Sequence, residues 1–227
     1  MAPFKVAVYL FPSADILDFS GPTEIYSMRP ASGEVVFEIK TFAHHDRVSS
    51  ETGTMVYIPN GTFEQLEAEL ADYDILVIPG AHFDVFDKFL PSKEGKELAA
   101  LLRKFVSLPP RKEAGTRILQ SVCTGSLILA ASGVLAGRTI TTHHMGFDAL
   151  KKYADEAAGG DSKVNVVKER WVDAGTTEAG VRIVNAAGVT SGIDTSLWIY
   201  EQFAGKESAD FVAEVAEFER RQQAWSA

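Results

Sequence analysis

The chain contains a single cysteine, Cys123, and the stretch around it, ILQSVCTGSLILAASGVLAG at 118–137, has the spacing of a nucleophile site. Residues 118–122 form an apolar run suited to a buried parallel strand. Leu127, Ile128, Ala131, Val134 and Leu135 then recur at helical spacing, so Cys123 falls at a strand-to-helix junction. Ser121 and Gly125 flank it two positions away on each side, the small-x-nucleophile-x-small pattern of a sharp turn that lifts one side chain above a sheet. There the sulfur faces the first unpaired N–H groups of the helix, which favour thiolate over thiol. A thiol of pKa ~8.5 is a few per cent anionic at neutral pH, and lowering it by ~2 units, about 2.7 kcal/mol, makes it mostly anionic. The competing reading makes Cys123 a small buried hydrophobe, the commoner fate of a lone intracellular cysteine.

A nucleophile needs a group that governs its proton. Residues 4–11 (FKVAVYLF), 74–78 (DILVI) and 118–122 read as strands, and in a parallel sheet the loops after them leave by one edge. If the three are neighbours, Asp18, the Gly80-Ala81 pair and Cys123 meet there. Asp18 then has two readings of equal weight: an acid that holds a proton and passes it to substrate, or a cap on the next helix. Backbone N–H groups around Ala81 and Thr124 are candidates to hold a developing negative charge, worth ~3 kcal/mol per donor in acyl-transfer sites. Pro79-Gly80 also reads as a plain turn. His143 follows a strand on the same edge, either as a proton carrier or as an ordinary satisfied histidine. Glu24, inside the first helix, is a reserve acid.

The elements that must position these groups alternate along the chain. Pro12 ends the first strand, a loop carries Asp15 and Asp18, and a helix is expected at 23–28 after the Gly21-Pro22 break. Further strands are expected at 35–43, 54–58, 139–142, 164–167, 170–173 and 181–186, with a late hairpin around Ala174-Gly175. Helices are expected at 63–70, 83–90, 95–108, 147–153, 190–203 and 208–222, the last with Phe211, Val215 and Phe218 on its inner stripe. This order indicates a three-layer α/β/α sandwich on a mostly parallel, flavodoxin-like sheet with a nucleophile-elbow cysteine, one domain over 1–227.

With 227 residues, 46% hydrophobic and 23% charged, the chain has a globular composition. A net charge of -9 argues against nucleic acid or an anionic membrane, both bound through clustered Lys and Arg, and in favour of a small-molecule partner. One cysteine permits no internal disulfide, and the opening apolar run is too short for a span and lacks a signal-peptide pattern, so a cytoplasmic protein is expected. G-x-G-x-x-G, G-x-x-x-x-G-K-[ST] and H-E-x-x-H are all absent, leaving the cysteine as the leading reactive group with no cofactor expected. His44, His45, His82, His143 and His144 are scattered, and no metal is expected.

Four segments in order, LDFSGPTEIY (17–26), DILVIPG (74–80), SVCTGSLILAASGVLAGRTITTHH (121–144) and GVTSGIDTSL (188–197), resemble the ThiJ/PfpI superfamily, relatives of the class I glutamine amidotransferases. Within it, the aspartate of LDFSGP and the Cys-Thr elbow look most like the isocyanide hydratases. Protease-like members usually carry Cys-His where this chain has Cys123-Thr124, which disfavours peptidase activity. The resemblance implies a cofactor-free homodimer that adds water to R–N≡C to give an N-formamide. In that scheme Cys123 attacks the terminal carbon, Asp18 supplies a proton, and Thr124 positions the acid or the intermediate through its hydroxyl and N–H. Two other outcomes exist in the superfamily. One is glutathione-independent glyoxalase chemistry on methylglyoxal, whose members commonly use glutamate where Asp18 stands. The other is a redox-sensing or ligand-binding protein whose cysteine is oxidised rather than turned over. Only one helix fits after Gly205, which sets against the DNA-binding regulators of the superfamily. The sequence departs from its relatives at Ala81, often glycine, at His144, often tryptophan, and in a longer loop at Pro109-Pro110.

Overall fold

Hydrophobic runs and turn residues partition the chain into alternating strands and helices, seen here in a computed structural model that describes residues 2–221. The first half runs β1 (Phe4–Tyr9), α1 (Ile16–Ser27), β2 (Phe37–Ala43), a small hairpin of β3 (Val48–Ser49) and β4 (Val56–Tyr57), β5 (Gly61–Thr62), α2 (Phe63–Ala68), β6 (Ile75–Ile78), α3 (Phe83–Phe89) and α4 (Lys93–Phe105). The second half runs β7 (Arg117–Ser121), α5 (Gly125–Ala131), β8 (Thr139–Ile140), α6 (Phe147–Ala158), β9 (Asn165–Val166), β10 (Trp171–Thr176), β11 (Val181–Ala186), α7 (Ser191–Ala204) and α8 (Lys206–Val215). The central sheet has the order β10-β11-β7-β6-β1-β2-β5, parallel throughout except for β10 at one edge.

The middle strands are covered on both faces, which is why β6 can be Ile-Leu-Val-Ile with every residue buried. Strand β7 shows the two faces directly, because successive side chains point to opposite sides. Arg117 turns toward α4, its guanidinium 5.4 Å from the Phe105 ring centre. Gln120 turns the other way, accepting from Tyr26 of α1 at 2.7 Å and donating to Ser196 of α7 at 3.0 Å. This buried bridge ties α1 to the cysteine-bearing strand and so fixes the spacing between Asp18 and Cys123.

Three local expectations are corrected. Helix α1 begins at Ile16, not after the Gly21-Pro22 break: Asp15 caps it by accepting from Leu17 N–H at 3.1 Å, and Pro22 lies inside. Gly21 and Pro22 are buried where α1 packs against α7, so tertiary packing overrides the local penalty of the proline. The β10–β11 hairpin turns at Thr177 to Gly180, where Gly180 N–H donates to Thr177 at 2.9 Å, while Ala174-Gly175 falls in a register shift within β10. Helix α8 starts at Lys206 and buries Ala209, Val212 and Ala213, leaving Val215 55% exposed, and ends at Val215. Position 222 of the expected helix lies outside the described residues. Among the described residues, no helix is long and apolar enough to cross a membrane.

Candidate active site

Because β7, β6 and β1 are adjacent, their trailing segments share one edge, and the groups selected from the sequence converge there. Cys123 sits between β7 and α5 with φ of 57°, a left-handed conformation that costs a non-glycine residue about 1–3 kcal/mol. Several bonds hold it. Its N–H donates to Ala187 O at 2.8 Å, and its carbonyl accepts from the hydroxyls of Thr142 at 3.0 Å and Ser126 at 3.2 Å. The turn is tight enough that a Cβ on Gly125 would run into the Ile78 carbonyl and stand 2.8 Å from that of Pro79. The small residue at this place is therefore a steric requirement of the elbow.

Asp18 lies in the first turn of α1 and is fully buried. Since Asp15 is the cap, the capping reading of Asp18 falls away. Its Oδ2 accepts from Gly80 N–H at 3.0 Å, its carboxyl lies close enough to the Cys123 thiol to act on it, and its Oδ1 is buried without a hydrogen-bond partner. Burial, followed by the charge of Asp15, pushes Asp18 up to about 8. Burial and then the Asp18 carboxylate push the thiol up to about 12, against the opposing pull of the Val189 and Thr124 N–H groups. The expected lowering of the thiol is thus reversed. The helix donors do reach the sulfur, but Cys123 is only 6% exposed and shares its site with an acid. Two acids in contact titrate as a pair. This pair keeps both protons at neutral pH and gives up the first near 8.

The Gly80-Ala81 turn serves this pair instead of offering a free oxyanion hole. Gly80 N–H is committed to Asp18, while Ala81 N–H donates to Thr124 Oγ1 at 2.9 Å and that hydroxyl donates back to Ala81 O at 2.7 Å. Neither turn N–H is available to a developing charge, which corrects the oxyanion assignment of Gly80 and Ala81. The free donors at the sulfur are the N–H groups of Thr124 and Val189. Val189 was invisible to side-chain reasoning because it contributes through its backbone, although it lies in the GVTSG segment.

Two outcomes follow from this packing. A Cβ on Gly80 would overlap Thr124 Oγ1 and stand 2.9 Å from Asp18 Oδ2. Gly80→Ala is expected to lower thermal stability by about 1–3 kcal/mol and to reduce the alkylation rate of Cys123, both readable by calorimetry and mass spectrometry. Thr124→Val keeps the shape but leaves the Ala81 N–H and carbonyl buried and unpaired, at about 1–3 kcal/mol. A chemical denaturation curve with an unchanged midpoint would refute it.

Above Cys123 lies a cavity of about 200 Å³. Thr124, Ala81 and Val189 form its floor with the cysteine, and Phe83, His143 and Met145 line it as well. His143 Nδ1 accepts from Met145 N–H at 3.3 Å, which leaves the neutral ring's proton on Nε2. Burial, then His144, lowers the His143 pKa, so it lines the cavity as an uncharged imidazole. Glu24 is exposed on α1 and does not join the site. Asp15 and Glu51, neither of them assigned to the site from sequence, reach the cavity from separate segments. The histidines are not all without ligating neighbours: ligand atoms of Glu51, His82 and Asp84 lie within 4.8 Å of one another, with His82 and Asp84 joined by a 2.6 Å hydrogen bond. All three are exposed, and loop folding rather than sequence spacing assembles them.

The DJ-1/PfpI family profile matches residues 4–202. An isonitrile hydratase of Pseudomonas putida is 28% identical over 208 residues, covering 92% of this chain and 75% of that protein. Among solved structures, a ThiJ/PfpI family protein from Pseudomonas syringae superposes with a TM-score of 0.73 at 23% identity, covering 97% of this chain and 77% of that one. Drosophila melanogaster DJ-1beta gives 0.69 at 18% identity, covering 95% and 98%. The two structural likenesses concern the fold, a mostly parallel sheet between helices. The chain belongs to the DJ-1/PfpI family.

Proposed function

We propose that this DJ-1/PfpI protein hydrates isocyanides to N-formamides, with Cys123 as nucleophile and Asp18 as the proton carrier. The observation that carries the reading is the buried Asp18 carboxyl set close to the Cys123 thiol, each group acting on the other's proton, beneath a small cavity. An isocyanide takes its proton and its nucleophile on the same terminal carbon. The chemistry therefore needs an acid and a sulfur in contact, as this pair is. The similarity to a curated isonitrile hydratase supports the same substrate class.

The active form of the pair carries one proton, moved from the sulfur to Asp18 as substrate binds, with the sulfur anion held by Thr124 and Val189 N–H. The S–C bond forms as the Asp18 proton passes to the same carbon, giving the thioimidate R–N=CH–S–Cys. Asp18, now a carboxylate, takes a proton from water as the hydroxide adds to that carbon, and passes it to nitrogen. The adduct R–NH–CH(OH)–S–Cys then breaks its C–S bond. Sulfur leaves as thiolate, the hydroxyl proton returns to Asp18, and R–NH–CHO departs. Thr124 and Gly80 act as positioning residues throughout. A raised thiol pKa also makes Cys123 a slow target for peroxide, which weighs against a role as redox sensor.

Incubation with a phenyl or cyclohexyl isocyanide, followed by chromatography, is expected to yield the formamide in buffer alone. Absence of formamide together with conversion of methylglyoxal to lactate would replace this reading by the glyoxalase one. The homodimer implied by the family resemblance is part of the proposal, and sedimentation at the mass of one chain would remove it.

A further inference from the structure

The substrate cavity has a charge of its own. Asp15 and Glu51 bring two carboxylates to it, and none of the residues lining it is Lys or Arg. His143 stands there neutral, and the charge of His82 is matched by Asp84. Lys88 and Lys93 border a neighbouring hollow beyond Glu51, not this cavity. Asp15 is fixed rather than free. Its N–H donates to Gly80 O at 2.8 Å, Ala14 bridges Ala81, and its side chain caps α1. Its charge acts on Asp18, Cys123 and His143 alike.

We infer that Asp15 and Glu51 select substrate by charge: the cavity admits isocyanides whose R group is neutral or carries an ammonium, and turns away those carrying a carboxylate or phosphate. Low-dielectric walls focus the field of such a cleft, and the effect weakens as salt screens the exposed carboxylates. The substrate class rests on the hydratase reading; the charge preference rests only on the cavity lining.

The test alkylates Cys123 with iodoacetamide, iodoacetate and 2-bromoethylammonium, each rate divided by that of the same reagent with a free small thiol. After this normalisation iodoacetate is expected to be ~10-fold slower than iodoacetamide, and the ammonium reagent at least as fast, with the differences shrinking at 1 M salt. In Asp15→Asn/Glu51→Gln the three normalised rates are expected to agree within about 3-fold. Asparagine preserves the helix cap, and any change in thiol pKa affects all three reagents equally. Equal rates for iodoacetate and iodoacetamide in the unaltered protein, or a ratio unmoved in the double variant, would overturn the inference. Alkylation requires no isocyanide turnover, so a failed hydration assay leaves this result standing. Formamide formed as fast from a carboxylate-bearing isocyanide as from a neutral one would sink the charge preference and leave the hydratase reading intact.

Discussion

Cys123→Ala is expected to abolish formamide production, with kcat/KM lower by at least ~10⁴, because no other group on the cavity wall can form the covalent intermediate. The fold should survive. The elbow is held by the bonds of Cys123 N–H and O to Ala187, Thr142 and Ser126, none of which involves sulfur. Removing one buried sulfur costs at most about 1–2 kcal/mol of packing. Steady-state kinetics beside a melting curve separate the two effects, and turnover retained in a folded Cys123→Ala protein would end the covalent mechanism.

Asp18→Asn is expected to slow hydration by ~10²–10⁴, the usual contribution of a positioned acid-base group, and to stabilise the protein at the same time. The sign follows from linkage. Asp18 titrates near 8 in the folded protein against an ordinary value of 3.8, so the native state binds more protons than the unfolded chain between those values. Its contribution to stability is complete below the ordinary value and is lost as pH rises toward 8. The asparagine variant lacks that slope, and at pH 8 it should be more stable by about 2–4 kcal/mol, discounting the full linkage value for relaxation of the buried site. Denaturation midpoints at pH 5 and pH 8 test this. A variant less stable than the parent at pH 8 would contradict the cost assigned to the buried carboxyl.

Much of this site was legible in the sequence because it depends on residue size and strand order. Ser121 and Gly125 announce the elbow, and the buried runs of β1, β6 and β7 announce strands whose ends share an edge. The start of α1 was not legible. Gly21-Pro22 is locally a break, and only contact with α7 makes it helix. A break read at Gly21-Pro22 places Asp18 on a loop, which hides its burial and hence its raised pKa. The raised thiol pKa is hidden from the sequence for a related reason: proximity to helix donors can be read from position, whereas desolvation depends on everything packed around the sulfur. Hydrogen-bond allegiance was equally out of reach, since nothing in Pro79-Gly80-Ala81 tells that its two N–H groups are taken by Asp18 and Thr124.

One proton shared between a carboxyl and a sulfur is the claim on which the chemistry stands, and the pH dependence of Cys123 alkylation by iodoacetamide, in the parent and in Asp18→Asn, measures it without any substrate. In the parent the proton lost near 8 is that of Asp18, so the rate should climb only as pH approaches the raised thiol value of about 12. In Asp18→Asn the carboxylate that raises the thiol is gone, and the rise should move to distinctly lower pH. Superimposable profiles for the two proteins would show that Asp18 does not govern the sulfur's proton.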